Sequence, residues 1–357
     1  MNSIEKKQLL GLDLNQMEEF LLGLEEPRFR GRQVYKWIYQ KECSSFYEMS
    51  DLPRSLRKKL DEKARVSIPR VLKQRVGKDG SRKFLMELDD KKKIECVLLP
   101  QSRDKKSSYT LCLSTQVGCP IACSFCATGQ SGFQRNLKAF EIIGQYLGSK
   151  KELSKRLKSP RAELISNVVY MGMGEPLLNY DEVIKSVHML NDPRGINLGQ
   201  RRITISTSGE VAGIKKLAQE NIQLTLAISL HACDNSLRDQ LIPLNRKYPL
   251  EVLFPAVEDY ITITGRRVTF EYLLLDEVNI SRNDAHKMIK LIKPLLANVN
   301  LIPYNEIEGL PFKKPETAKI WQFYQWLQDG GLNVSIREER GSDINAACGQ
   351  LRSDYRR

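Results

Sequence analysis

Gly118-Cys119-Pro120-Ile121-Ala122-Cys123-Ser124-Phe125-Cys126 decides how the rest of this chain reads. The spacing is C-x3-C-x2-C, and the next cysteine downstream is as far away as Cys233. A cubane iron–sulfur cluster has four irons and usually takes four thiolates. Three thiolates leave one iron open to a small molecule. The competing reading is a tetrahedral structural zinc site with Cys112 as fourth ligand. Zinc ribbons space their ligands as two separated C-x2-C pairs, however. Here the third cysteine runs into Ala127-Thr128-Gly129 and then into alternating strands and helices, with no second knuckle.

The rest of the chain bounds the classes available. At 357 residues it is long enough for one large domain and a smaller one. There is no run of about 18 apolar residues, so no membrane span is expected. The N-terminus lacks an apolar signal core, which predicts a cytoplasmic protein. Eight cysteines without close pairing do not make a disulfide scaffold and suit a reducing compartment. The net charge is +13. Between residues 52 and 83 there are twelve Lys or Arg against Asp61, Glu62 and Asp79, a surplus of nine. Such a surplus attracts polyanions, and RNA is the expected partner.

Up to about residue 68 the periodicity is helical. Met17, Phe20, Leu21 and Leu24 form one stripe and Val34, Trp37 and Ile38 another, while Asp51 is placed to cap a helix carrying Leu56 and Leu60. Residues 71–76 and 82–88 read as strands joined by a hairpin turn over 77–80, and 94–99 as a third strand. From Tyr109 strands and helices alternate. Strands are expected over 110–114, 164–170, 202–206, 224–230, 268–275 and 299–303, and helices over 140–147, 180–190, 211–220, 250–260, 283–296 and 318–327. Six β-α units predict an α/β fold with a parallel sheet, too few to close an eight-strand barrel. The expectation is an open partial (β/α)6 barrel with a small N-terminal helical domain and a short β extension. Its boundaries fall at 1–68, 69–108, 109–340 and a C-terminal tail, 341–357. Residues 149–160 read as a basic, loop-like linker.

In such sheets the chemistry sits at the C-terminal strand ends. Met171-Gly-Met-Gly174-Glu175-Pro176 follows the second strand, its glycines suited to close backbone approach and Glu175 to an ammonium group. Ser206-Thr-Ser-Gly209, Ser229-Leu230-His231 and Pro303-Tyr-Asn305 end the third, fourth and sixth. Each alone is a common strand-end cap; in phase at one rim they describe one pocket. Of the three histidines, His188 and His286 lie in helical patterns and only His231 lies at the rim. Cys348 sits in a small, polar tail, Asp343-Ile-Asn-Ala-Ala-Cys348-Gly-Gln-Leu351, where a core cysteine would not be expected. Cys112 lies on the first strand, facing the rim or half-buried in the strand.

The C-x3-C-x2-C loop resembles that of radical S-adenosylmethionine (SAM) enzymes. Ile94-Glu95, Thr110-Leu-Cys112, Met171–Leu177, Arg201–Gly209, Ser229–His231, Asn300–Asn305 and the Cys348 tail together resemble the bacterial dual-specificity RNA adenine-C2 methyltransferases over nearly the whole chain. That resemblance implies a 4Fe-4S cluster on Cys119, Cys123 and Cys126, with SAM contacted by Gly174, Glu175, Ser206, Ser229, Leu230, His231 and Asn305. It implies two SAM molecules per turnover. Adenine C2 has no lone pair and cannot attack a methyl sulfonium, whereas a thiolate can. By the resemblance, Cys348 takes the methyl group from one SAM. A deoxyadenosyl radical from the second abstracts hydrogen from it. The methylene radical adds to C2, Glu95 removes the C2 proton, and Cys112 attacks the Cys348 sulfur, releasing methylated RNA with a transient disulfide. The implied partners are 23S rRNA, tRNA 3′ of the anticodon and a reducing flavodoxin-type donor, with the enzyme a monomer. Cys43, Cys96 and Cys233 match no role. The alternatives are the related C8 adenosine methyltransferase, which uses the same cysteines, and a zinc-stabilised RNA-binding protein.

Overall fold

The computed structural model describes residues 6–101, 108–157 and 165–352. The chain opens with β1 (Lys7–Gln8), α1 (Leu14–Leu22), α2 (Arg28–Tyr39), α3 (Arg54–Lys63) and β2 (Ala64–Arg65). Then come β3 (Arg70–Val76), β4 (Arg82–Glu87), β5 (Lys93–Gln101), β6 (Ser108–Cys112), β7 (Gln116–Gly118), α4 (Ala127–Gln130) and β8 (Phe133–Asn136). The alternating part continues with α5 (Ala139–Leu157), β9 (Ile165–Tyr170), α6 (Tyr180–Asn191), β10 (Ile203–Thr207), α7 (Val211–Ala218) and β11 (Thr225–Ser229). It ends with α8 (Asn235–Leu241), α9 (Leu250–Thr264), β12 (Val268–Leu274), α10 (Arg282–Ile292), β13 (Ala297–Pro303), α11 (Thr317–Asp329) and β14 (Val334–Ile336).

One ten-stranded sheet carries the molecule, ordered β14-β13-β12-β11-β10-β9-β6-β5-β4-β3. The six expected strands pair in parallel, as a partial barrel requires. A seventh, β14, joins the β13 edge; three residues carry too short a pattern to be read in advance. The β extension is no separate unit, because β3, β4 and β5 continue the same sheet antiparallel through β5–β6. Its hairpin turn lies where expected, with Gly80 at φ +84°.

Two local expectations need correction. Residues 149–157 are not a linker but the last turns of α5, with Leu153 buried; 158–160 lie outside the described residues. Asp51 does not cap α3, which starts after Pro53; its carboxylate accepts from the Trp37 indole instead.

The helical domain is keyed to the outer helices of the sheet. Asp13 and Gln16 form a capping box that starts α1. Tyr35 Oη donates to Asp192 after α6 (2.9 Å); inside the domain, Tyr39 Oη donates to the Leu12 carbonyl while accepting from Gly11 N–H, both 2.9 Å. Within the domain α2 crosses α1 at Gly31, where a Cβ would stand 2.7 Å from Glu18 Cα. Overpacking of this kind costs about 1–3 kcal/mol. Gly31→Val should therefore lower stability in urea denaturation by about that amount. The control is Gly199→Ala, where nothing lies within 4 Å of the added Cβ; it should change stability by less than about 0.5 kcal/mol.

Candidate active site

A cavity of about 700 Å³ opens at the C-terminal ends of the parallel strands. Its walls include Cys119, Cys123 and Cys126, Gly174 and Glu175, Ser206, Ser229, His231, Asn305, Cys112 and Cys348. Residues more than 230 positions apart in the chain thus converge on one space. Two of the expected residues are not on its walls. Leu230 is wholly buried in the main core; its N–H donates to Glu271 O (3.0 Å) and its carbonyl accepts from Arg238 Nε (3.1 Å), so only its backbone serves the rim. Glu95 is 1% exposed and lies behind the tail, paired with Lys83.

The cysteine loop is held from both sides. β7 and β8 form a ribbon around it, and Cys119 N–H donates to Gly132 O (2.9 Å). Gly118 takes φ +78°, and a Cβ there would stand 1.8 Å from that carbonyl, so only glycine admits the ribbon. Ala122 sits in the left-handed region at φ +56°, uncommon for a residue with a Cβ. Beneath the loop a second apolar cluster, including Ile121, Phe125, Leu273 and Tyr304, packs against all three cysteines. Burial pushes the Cys119 thiol up to about 12 and raises those of Cys123 and Cys126.

The glycines after β9 act differently from expectation. A Cβ on Gly172 would meet the Leu113 carbonyl at 2.6 Å, and one on Gly174 would meet Gln116 Cβ at 2.6 Å. The close approach they permit is to the neighbouring chain segment, which swings Glu175 into the wall. Glu175 Oε2 accepts from Ser208 N–H (2.8 Å) and Oγ (2.7 Å). Burial raises its pKa against those hydrogen bonds. No lysine or arginine pairs with it among the described residues, so a cationic group in the cavity would complete it.

His231 is pinned as a neutral ring. Its Nδ1 accepts from Leu273 N–H (3.0 Å), its carbonyl accepts from Asn279 (2.8 Å), and its ring meets Phe125 edge-on at 5.0 Å. Burial, with the nearby Arg238 charge, drives its pKa down to about 3.

Three site residues carried no usable signal in the sequence or only a faint one. Arg238, fully buried, donates to the carbonyls of Ser208 (2.7 Å), Ser229 (3.2 Å) and Leu230 and to Asn245. Arg337 follows β14 and lines the cavity; its cation is held charged first by Cys348, then by Glu271, with Cys112 also contributing. In the sequence it opens an Arg-Glu-Glu-Arg run that reads as solvated surface. Glu271, a cavity wall whose pKa burial raises, is the one acid inside the apolar β12; that isolation was its only signal.

The chain matches two family models. Residues 7–66 match the ribosomal RNA large subunit methyltransferase N-terminal domain, and residues 113–291 match the radical SAM superfamily. It is 98% identical over all 357 residues, and the whole of both chains, to the probable dual-specificity RNA methyltransferase RlmN of Syntrophomonas wolfei. The corresponding protein of Moorella thermoacetica is 49% identical over 345 residues, 96% of each chain. The chain belongs to the RlmN family. Its fold superposes on the crystal structure of a radical SAM methyltransferase from Sphaerobacter thermophilus with TM-score 0.92 and 40% identity, covering 98% of this chain and 100% of that one. Radical SAM membership overturns the zinc alternative and brings a 4Fe-4S cluster and SAM as cofactors. The residues present fit such groups. Three thiols face one cavity, while among the described residues no three His, Cys, Asp or Glu converge to hold a single ion. The Tyr304 hydroxyl, on the cavity wall beside Cys126, is buried and has no hydrogen-bond partner among the described residues. Among the described residues no helix is long and apolar enough to cross a membrane.

His231 gives a pH test. Its folded pKa lies below the unfolded value, so the unfolded chain binds the extra proton, and stability present above about pH 6.5 falls as pH drops toward 3. His231→Gln should flatten the loss of thermal stability between pH 7 and pH 4; an unchanged slope would show that this ring does not govern it.

Proposed function

We propose that this chain methylates C2 of adenosine in 23S rRNA and in tRNA, with Cys348 carrying the methyl group and Cys112 releasing the product. One observation carries the reading: Cys348 and Cys112 line the same cavity as the three clustered cysteines, with the Arg337 cation close to both. The names of the relatives, dual-specificity RNA methyltransferases, support RNA substrates of two kinds.

Cys119, Cys123 and Cys126 would hold the cluster, leaving one iron for SAM. When bound, these cofactors supply the methyl group and the radical chemistry that moves it onto carbon. Glu175 offers its carboxylate to the amino group of SAM, and Ser206, Ser229, His231 and Asn305 line the remaining wall. Cys348 is half-exposed on the tail and lines the cavity. Cys112 is buried, and burial pushes its thiol up to about 12. Arg337 pulls it back toward the thiolate, the form that attacks sulfur. Glu95 would accept the C2 proton. A flavodoxin-type protein is the expected electron donor, and the enzyme would act as a monomer in the cytoplasm.

RNA would be held by the helical domain and β extension, since the target base must leave its stack to enter such a cavity. The local basic surplus is only partly available for this. Arg57 donates to the Leu52 and Tyr47 carbonyls (both 3.0 Å), Lys59 is bonded to the Leu24 carbonyl, and Lys83 is buried. Arg54, Lys58, Lys63, Arg70, Lys73 and Lys78 are exposed.

Charge reversal at Arg54, Lys58 and Lys63 should weaken RNA binding. It should also reduce the slope of log K against log salt by roughly 0.7–0.9 for each phosphate that is no longer neutralised. An unchanged affinity would return this face to ordinary solvated surface. The two thiols should fail differently. Cys112→Ala should form a covalent protein–RNA adduct and stall, giving an RNase-sensitive band of raised mass on denaturing gels. Cys348→Ala and the double variant should give none. A Cys112→Ala enzyme with normal turnover, or a product that mass spectrometry identifies as 8-methyladenosine, would overturn the reading.

A further inference from the structure

Lys83 belongs by sequence to the basic stretch that draws RNA, yet its side chain is only 6% exposed. It lies on β4 opposite Val97, while Glu95 lies on β5 opposite Leu85, so the two share one face as diagonal neighbours. Lys83 Nζ stands 3.0 Å from Glu95 Oε1, and the Glu95 side chain is 1% exposed. Both groups are also bonded to the C-terminal tail. Lys83 Nζ donates to the Asn345 carbonyl (2.9 Å), and Glu95 Oε2 accepts from Arg352 N–H (2.9 Å). Asn345 precedes Cys348 by three positions and Arg352 follows it by four. The ion pair therefore grips the tail on either side of Cys348.

The hairpin between β3 and β4 adds to the hold. Asp79 accepts from Gly341 N–H and Asp343 from Lys78 N–H, both 2.9 Å. These bonds lie near the surface. The Lys83–Glu95 pair does not, and a buried charge whose partner is removed is left uncompensated. With the tail seated, both Glu95 oxygens are occupied, and neither Lys83 nor Glu95 reaches the cavity wall.

We propose that Lys83 is a positioning residue: its ion pair with Glu95 is a clasp that seats the tail with Cys348 at the cavity and keeps Glu95 out of the cavity until the tail lifts. The proposal rests on reading Cys348 as methyl carrier and Glu95 as the base. It orders their work. Cys348 is loaded with the tail seated. Lifting the tail breaks the Arg352 N–H bond and frees Glu95 Oε2 to accept a proton. Methyl loading and proton removal then use two positions of one segment.

The test is hydrogen–deuterium exchange on the full-length protein, without RNA. In Lys83→Met, peptides spanning 345–352 should exchange at least about tenfold faster, while peptides of β12 keep the wild-type rate. Lys83→Arg, which keeps the cation, should restore the tail to within about twofold of wild type. Glu95→Gln should open the tail as Lys83→Met does. The double variant Lys83→Met/Glu95→Gln leaves no lone buried charge, so it remains informative if Lys83→Met does not fold. It should open the tail no further than the single changes, because both act on one pair. Unchanged tail exchange, or an equal rise across the whole sheet, overturns the clasp. Turnover separates the clasp from the base. A Glu95→Gln enzyme with an open tail and normal RNA methylation removes Glu95 as the base and leaves the clasp. One that stalls as an RNA adduct while its tail exchanges at the wild-type rate removes the clasp and leaves the base.

Discussion

The rim of the sheet depends on one guanidinium that water does not reach. Arg238 ties the ends of β10 and β11 together by donating to the Ser208, Ser229 and Leu230 carbonyls, and its fourth bond goes to Asn245. Parallel strands leave backbone carbonyls unpaired where they stop, and at this rim those carbonyls face inward. A buried cation is costly unless its hydrogen bonds are met. Here they are met by those very carbonyls. The cost shows in the cation itself, whose pKa burial lowers to about 10, with nearby Cys123 opposing the shift. Glu175, bonded to Ser208, and His231, one residue past Leu230, inherit their positions from this anchor.

Burial around the cavity shifts most titrating groups away from their charged forms. Glu175 and Glu271 are raised by burial, the loop thiols are raised, and His231 is held neutral. Such a wall favours cofactors that bring compensating charge: iron for the thiols, an ammonium for Glu175. Arg337 is the counterweight, a cation held charged beside Cys348, Glu271 and Cys112.

The tail supplies part of the cavity wall. It crosses the cysteine loop, where Ala127 N–H donates to Gly349 O (2.8 Å) and Thr128 Oγ1 to Leu351 O (2.7 Å). Ile344, Ala346 and Leu351 of the tail are buried in the main apolar core, and its hydrogen bonds to backbone add modest net worth each.

Much of this was legible in the residues. The cysteine spacing, the six β-α units and the motifs at the strand ends all rest on local pattern: apolar periodicity, glycine and a fixed ligand spacing. That Cys112, Cys348 and the loop would meet was legible only through family resemblance, because no periodicity links a strand, a loop and a tail so far apart. Tertiary structure alone decided the rest. It buried Lys83, which composition counts as surface. It placed Glu95 behind the tail in an ion pair with Lys83 and turned the Gly172 and Gly174 approach toward protein. It also made Arg238 and Arg337 parts of the site. A charged side chain in sequence looks the same whether it meets water or a carbonyl. Burial and partners are set by how distant elements pack, so the chemistry of such groups exists only once the chain has folded.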